Sequence, residues 1–279
     1  MTATPFTTTL HSRARPAPAP VLAPLPSWRE LLSREPRLAW YGALLLALLA
    51  AFAVAPAFDA RQLDGVNVWI KPAKFALSIA MLAWTTAWFI GHLPLAIRRG
   101  RAVDLVVWVL VAAASFELGY IALQAGFGQA SHYNETDTLH AVMYALMGMV
   151  ALILTATQPA LAWLLLRHPD PARPPAYRLA VALGLMLTFA LGAGAGVTLG
   201  QFKPPVGGTT VPLLGWALAG GDLRPAHFLG IHAEQVLPLV GLAVSAAGLR
   251  RPRTAVWLVS LAYGVAFAAL FAWGLSGRL

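Results

Sequence analysis

The sequence predicts an all-α integral membrane protein, a bundle of about seven transmembrane helices. Of its 279 residues, 58% are hydrophobic and only 11% are charged. Crossing about 30 Å of hydrocarbon takes about 20 apolar residues per helix, and apolar runs of that length recur along the chain. This composition excludes a disordered chain, a disulfide-stapled secreted domain and a conventional cytosolic enzyme. The chain has no cysteine, which also excludes thiolate metal sites and redox disulfides.

The chain divides into a leader and a transmembrane domain. Residues 1–37 are rich in proline and alanine, a composition that favours extended chain and cannot bury a core. We expect a disordered cytoplasmic leader that ends in a short interfacial helix around Trp28–Arg34. Residues 38–279 form the transmembrane domain. Polar breaks between the apolar runs predict helices at 38–58, 73–93, 102–125, 138–166, 178–200, 225–248 and 254–275.

The basic residues predict the orientation of these helices. Seven spans place the two termini on opposite sides of the membrane. With the N-terminus in the cytoplasm, fourteen of the 20 lysines and arginines fall on the cytoplasmic side, as the positive-inside rule requires. The loop 126–137 on the outer side has none. The sequence therefore predicts N-in and C-out, and the net charge of +9 indicates topology and contact with anionic lipid rather than nucleic-acid binding.

Two local patterns predict helix ends and helix contacts. Asp137 and Asp222 precede predicted helices and are expected to be their N-caps. Gly192, Gly196 and Gly200 form a ridge of small residues that favours close packing against another helix of the same chain.

Two carboxylates fall inside predicted spans, where an ionisable side chain costs about 2.5–3.5 kcal/mol on insertion scales. Glu117 in the third span and Glu234 in the sixth lie at similar depth below the outer surface. Tyr120 and Gln124 follow Glu117 at helical spacing and share its face. A purely structural interpretation stays open, in which Glu117 pairs with Arg224 or a lysine, or stays protonated and forms a hydrogen-bonded tie between helices.

Further polar residues gather toward the outer ends of the same helices. We therefore predict a polar ligand pocket that opens to the extracytoplasmic side, under the loops 126–137 and 201–224. His227 and His232 are five residues apart, so a regular helix cannot aim both at one ion, and no metal ion is assigned. The predicted pocket residues are Lys71, Lys74, Glu117, Tyr120, Gln124, His132, Asn134, His140, Arg224, His227, His232, Glu234 and Gln235. The ordinary alternatives are lysines that reach lipid phosphate and a surface histidine at position 132.

Three segments carry more extended motifs. They read WIKPAKF from Trp69, QAGFGQASHYN from Gln124 and GDLRPAHFLGIHAEQVLP from Gly221. These motifs resemble a family of uncharacterised bacterial multi-pass membrane proteins, and the likeness spans about residues 60–240. The resemblance implies a location in the bacterial cytoplasmic (inner) membrane and points to the same outer residues, but it implies no activity.

Three functions stay open. The first is a binding protein whose pocket holds a small polar ligand or a cofactor, and a b-type haem held by His140 with His227 or His232 is one candidate. The second is an intramembrane enzyme on a lipid or isoprenoid substrate, in which Glu117 and a histidine share acid/base work. The third is a proton-coupled transporter that uses Glu117 and Glu234. The expected partners are the lipid bilayer and a small-molecule or lipid ligand, and nucleic acid is excluded.

Overall fold

The computed structural model describes residues 27–206, 208–211 and 214–276. These residues form helices joined by short segments, with one two-stranded hairpin whose turn, Asp64-Gly65, has positive φ at both positions. In chain order the elements are α1 (Trp28–Arg34), α2 (Pro36–Val54), β1 (Gln62–Leu63), β2 (Val66–Asn67), α3 (Ile70–Ile90), α4 (Leu95–Arg98), α5 (Arg101–Phe127), α6 (Thr138–Arg167), α7 (Pro175–Leu187), α8 (Gly194–Gln201), α9 (Arg224–Ile231), α10 (Ala233–Ala246) and α11 (Pro252–Leu275).

Six helical segments of the described chain are long and apolar enough to cross a membrane. They are Pro36–Ala57, Ile70–Ile90, Arg101–Phe127, Thr138–Arg167, Pro175–Gln201 and Pro252–Leu275. A seventh candidate is the α9–α10 pair, which is bent by 51° at its break. The predicted all-α class is confirmed, and the length and composition of these helices are those of a multi-pass membrane protein.

The predicted leader lies mostly outside the described residues. Within its last part, residues 28–34 form the expected short helix α1, whose first turn is capped by the Ser27 hydroxyl. The Arg34 guanidinium lies 3.7 Å from the centre of the Trp88 ring on α3 and donates to the Trp88 carbonyl oxygen at 3.1 Å. This cation–π contact joins α1 to α3. The packed part of the protein therefore begins before residue 38, the predicted start of the transmembrane domain.

The bundle has two ends with different contacts. At one end, Arg61 donates to the carbonyl oxygen of Gly126, the penultimate residue of α5. At the other end, Arg37 at the start of α2 forms an ion pair of 2.7 Å with Asp104 at the start of α5. We term the first the outer end and the second the inner end. Most of the apolar core lies between α2, α3 and α5, where α3 presents small residues to its neighbours: Ala76, Ala80, Ala83 and Ala87.

The bend between α9 and α10 lies against an unusual turn within the preceding helical span, Pro175–Gln201. Between α7 and α8 the chain forms a π-helical turn, Thr188–Ala193, a wider turn that often occurs at functional sites. A Cβ atom on Gly230 would lie only 2.7 Å from the Gly192 nitrogen. The Thr188 hydroxyl accepts the Glu234 N–H at 2.9 Å, so it satisfies a backbone donor that the break leaves free. The predicted glycine ridge therefore packs within the chain.

We predict that Gly230→Ala destabilises the protein, because the added methyl group must displace the backbone at Gly192. Overpacking of this kind costs about 1–3 kcal/mol. A lower unfolding temperature of the purified protein in detergent would show it. The matched control is Gly194→Ala, since no atom lies within 4 Å of a Cβ at that position. Equal unfolding temperatures for the two variants would contradict the close packing of the π-helical turn against α9.

Candidate functional site

Ionisable side chains from three helices and one loop lie within electrostatic range of one another toward the outer end. Lys71 on α3 interacts electrostatically with Lys74, with Glu117 on α5 and with Arg224 on α9. His132, in the loop between α5 and α6, lies within the same range of Lys71 and of His227 on α9. We term the set Lys71, Lys74, Glu117, His132, Arg224 and His227 the outer cluster. All six were predicted pocket residues, and the tertiary structure brings them together.

Glu117 is the buried carboxylate of the outer cluster. It is 4% exposed, and its Oε1 atom has no hydrogen-bond donor within the described chain. Tyr120 and Gln124 are buried on the same helix, as their spacing predicts, and Gln124 Oε1 also lacks a donor. A buried oxygen without a donor is unfavourable by about 1–3 kcal/mol. This face of α5 can therefore accept hydrogen bonds that the described part of the protein does not supply.

His132 sits between two aromatic rings. Its ring centre lies 6.1 Å from that of Phe75 and 5.9 Å from that of Tyr144. Burial, and to a smaller extent the nearby Lys71 charge, lowers the pKa of His132 to about 3. The imidazole is therefore neutral at neutral pH. Phe75 and Tyr144 were not predicted as site residues, although Phe75 follows Lys71 by one helical turn, and this spacing could have identified it.

The tautomer of His227 follows from its partner. His227 Nδ1 lies 2.9 Å from the Gly192 carbonyl oxygen. A carbonyl oxygen can only accept, so Nδ1 carries the hydrogen and Nε2 of the neutral ring is an acceptor. The π-helical turn thus orients the imidazole of α9.

Asp222 fixes Arg224 and the loop that precedes it. The Arg224 Nη2 atom lies 2.6 Å from Asp222 Oδ2 and 2.6 Å from the Gly215 carbonyl oxygen. The Ala217 N–H also donates to this fully buried carboxylate. Lys74 Nζ donates to the Leu214 carbonyl oxygen at 3.2 Å, so the same loop lies over the start of α3.

These contacts correct two expectations. Arg224 binds Asp222, so the direct Glu117–Arg224 ion pair that the sequence left open does not form. The N-cap of α9 is Leu223 and not Asp222, but the Asp222 side chain still accepts the backbone N–H of Arg224, the first residue of the helix, together with the Arg224 side chain. Burial by itself would raise the pKa of Asp222, but the hydrogen bonds from Arg224 and from the Ala217 N–H outweigh it and hold the pKa below its ordinary value.

Two predicted pocket residues instead stabilise the loop before α6. Asn134 Oδ1 accepts from the Thr136 hydroxyl at 2.8 Å and closes a local turn. Asp137 is the N-cap of α6, as predicted, and its second oxygen lies 2.7 Å from His140 Nδ1. The other ring nitrogen of His140 lies 3.0 Å from Gln129 Oε1.

The remaining predicted residues lie at the break between α9 and α10. His232 stacks on Phe228 with ring centres 4.0 Å apart, and its Nδ1 lies 3.0 Å from the Phe228 carbonyl oxygen. Glu234 is 1% exposed and accepts from Gln235 at 2.9 Å, while its Oε2 has no donor in the described residues. Gln235 also contacts the Thr85 hydroxyl at 3.3 Å. These polar contacts join α10 to α3, through Thr85, and to the π-helical turn, through Thr188.

His140 does not fit the haem ligation that the sequence suggested. Both ring nitrogens of His140 are engaged by Asp137 and Gln129, so His140 offers neither to an iron atom. The described residues also contain no group of three or more His, Cys, Asp or Glu side chains placed to hold a metal ion.

Comparison with protein-family models, curated proteins and solved structures gives no match to this chain. The resemblance to a bacterial multi-pass family stays a prediction. Any functional conclusion therefore depends on the geometry of the site.

We predict that Asp222→Asn loosens the loop at Gly215 and Ala217. The native pKa of Asp222 is lower than its unfolded value of 3.8. The ionised carboxylate therefore stabilises the folded protein above pH 3.8, and this contribution is lost as the pH falls through the native pKa. At neutral pH we expect a loss of about 1–3 kcal/mol and faster hydrogen exchange in this loop.

Asp64→Asn is the matched control, because Asp64 is exposed and asparagine tolerates its positive φ. The stability difference between wild type and Asp222→Asn should shrink as the solution is acidified through the native pKa. A difference that stays constant with pH would contradict the role of the ionised carboxylate.

Proposed function

We propose that the outer cluster binds a small polar ligand that both donates and accepts hydrogen bonds. The observation that carries this proposal is the buried Glu117 carboxylate, whose Oε1 has no donor in the described chain. A buried acceptor atom that lacks a donor is unfavourable by about 1–3 kcal/mol. A ligand with hydroxyl or amine donors would supply the missing hydrogen bonds.

The groups around Glu117 indicate which other chemical groups the ligand carries. Lys71 and Lys74 are cations, whereas Arg224 is already neutralised by Asp222. His227 presents Nε2 as an acceptor. One carboxylate beside two amines favours a ligand that carries an anionic or carbonyl group next to its hydrogen-bond donors.

We predict that Glu117→Gln loses the ligand. Hydrogen bonds to a charged acceptor contribute about 1.5–3 kcal/mol, so affinity should fall about 10- to 100-fold. Wild type and variant are purified in mild detergent, denatured, and the released small molecules are identified by mass spectrometry. The control is Glu135→Gln, an exposed carboxylate on the neighbouring loop, which should retain the same molecule as wild type. Equal retention by Glu117→Gln, or no retained molecule in wild type, would overturn the proposal.

We also propose seven spans with the N-terminus in the cytoplasm of a bacterial cell and the C-terminus outside. Two contacts support counting α9–α10 as one span. The pair begins at Arg224, which belongs to the outer cluster. Near its other end, Val244 lines a surface cleft together with Pro174, which precedes α7 at the inner end. Near its outer end, α11 contacts the loop before α9, where Gly221 N–H donates to the Trp273 carbonyl oxygen. The distribution of basic residues then gives the orientation.

Single-cysteine variants test this topology, because the native chain has no cysteine. We expect Thr136→Cys and Ser276→Cys to react with a membrane-impermeant maleimide on intact cells, and Arg250→Cys to react only after lysis. If α9–α10 instead turned back without crossing, Arg250→Cys would be labelled on intact cells and Ser276→Cys would be protected.

A second candidate, a proton-coupled transporter, is favoured by one observation. The α9–α10 break lies against the π-helical turn, and Glu234 is buried beside it with an unpartnered Oε2. Discontinuous helices that meet near the middle of the membrane carry the binding sites of many transporters. Reconstitution into vesicles distinguishes the two candidates. A transporter would carry the retained molecule across the bilayer, whereas a binding protein would not.

A further inference from the structure

A cleft of about 380 Å³ opens at the inner end, on the opposite side of the bundle from the outer cluster. It lies where α6 ends and where α7 and α11 begin. Its polar lining comes from Arg173, Arg178, Arg253, His92 and Asp170. The sequence did not reveal it, because these residues come from four separate segments of the chain.

The cleft has more positive than negative charge. Arg173 forms one ion pair, in which its Nε atom lies 3.5 Å from Asp170 Oδ2. The side chains of Arg178 and Arg253 have no ion pair or hydrogen bond with any residue between 27 and 276 that the structure describes. Two guanidinium groups are thus available for an anion, and guanidinium binds phosphate through paired N–H donors.

His92 is a second, independent feature of the cleft. It is 7% exposed, and its Nε2 atom has no hydrogen-bond partner in the described chain. The rings of Trp88, Phe89 and Tyr177 surround it with centres 5.6–6.2 Å away. A buried polar atom without a partner is unfavourable, and a ligand oxygen in the cleft would satisfy it.

The rest of the lining is apolar, and two of its large side chains face outward from the bundle. Leu166 on α6 is 60% exposed and Trp257 on α11 is 55% exposed. Both belong to helices that are long and apolar enough to span a membrane, so these side chains lie where acyl chains would contact the protein. Basic residues at a helix end beside an apolar wall match the two parts of a phospholipid.

We propose that this cleft binds the phosphate of an anionic phospholipid headgroup through Arg173, Arg178 and Arg253. His92 contributes a ring nitrogen, and the acyl chains lie along Leu166 and Trp257. Free phosphate would satisfy the same arginines, but it would leave the apolar wall without a partner. The proposal does not depend on the function of the outer cluster.

The test titrates phosphatidylglycerol onto the full-length protein in detergent and measures bound lipid by native mass spectrometry. Each basic residue near an anionic headgroup changes affinity by about five-fold. The triple variant Arg173→Gln/Arg178→Gln/Arg253→Gln should therefore bind about 100-fold more weakly than wild type. The Arg253 side chain is exposed and has no hydrogen bond or ion pair with the residues that the structure describes. The single variant Arg253→Gln should therefore keep the structure and bind the lipid about five-fold more weakly.

The matched control is Arg99→Gln/Arg101→Gln/Arg250→Gln, which removes the same charge from the inner end outside the cleft. It should change the affinity less than two-fold. Equal losses in the two triple variants, or no loss in either, would overturn the proposal. Glycerol phosphate and inorganic phosphate at millimolar concentration should leave the lipid bound. Displacement of the lipid by either soluble anion at that concentration would reject a lipid as the occupant.

Discussion

The structure depends on one constraint, that a polar group removed from water needs a partner inside the protein. Within hydrocarbon, helices satisfy this constraint for the backbone because every hydrogen bond is made within the segment. The break between α9 and α10 violates it locally, and the Thr188 hydroxyl compensates by accepting the Glu234 N–H. Asp222 shows the same principle for side chains, since its buried carboxylate has both Arg224 and a backbone donor. Polar groups that lack such a partner therefore indicate where a ligand could bind.

Those exceptions occur toward both ends of the bundle. Toward the outer end, Glu117 and Gln124 have oxygens without donors, next to the amine of Lys71. At the inner end, the unmet groups are cationic or neutral: Arg178, Arg253 and the ring nitrogen of His92. The two sites differ in chemistry, because the first needs hydrogen-bond donors from its ligand and the second needs acceptors. A small polar molecule suits the first, and a lipid phosphate suits the second.

Close backbone packing holds the outer cluster in place. The Gly230–Gly192 contact brings α9 against the π-helical turn, and the same turn binds His227 through the Gly192 carbonyl oxygen. The Asp222–Arg224 pair anchors the loop that lies over Lys74. Helix packing therefore also sets the positions of the site residues. A larger residue at Gly230 would displace α9 from the π-helical turn and His227 from the Gly192 carbonyl oxygen.

The sequence by itself determined the helix class, the ends of the long apolar spans to within a few residues and the face of α5 that carries Glu117, Tyr120 and Gln124. These features follow from local periodicity and from the length of apolar runs, which neighbouring residues decide. Tertiary structure decided the rest. The partner of Arg224, the local roles of Asn134 and His140, and the bend at His232 depend on atoms brought together from other segments. The inner cleft is the clearest case. In the sequence, Arg173, Arg178 and Arg253 indicated only the orientation of the helices, whereas the tertiary structure places them with His92 in the lining of one cleft.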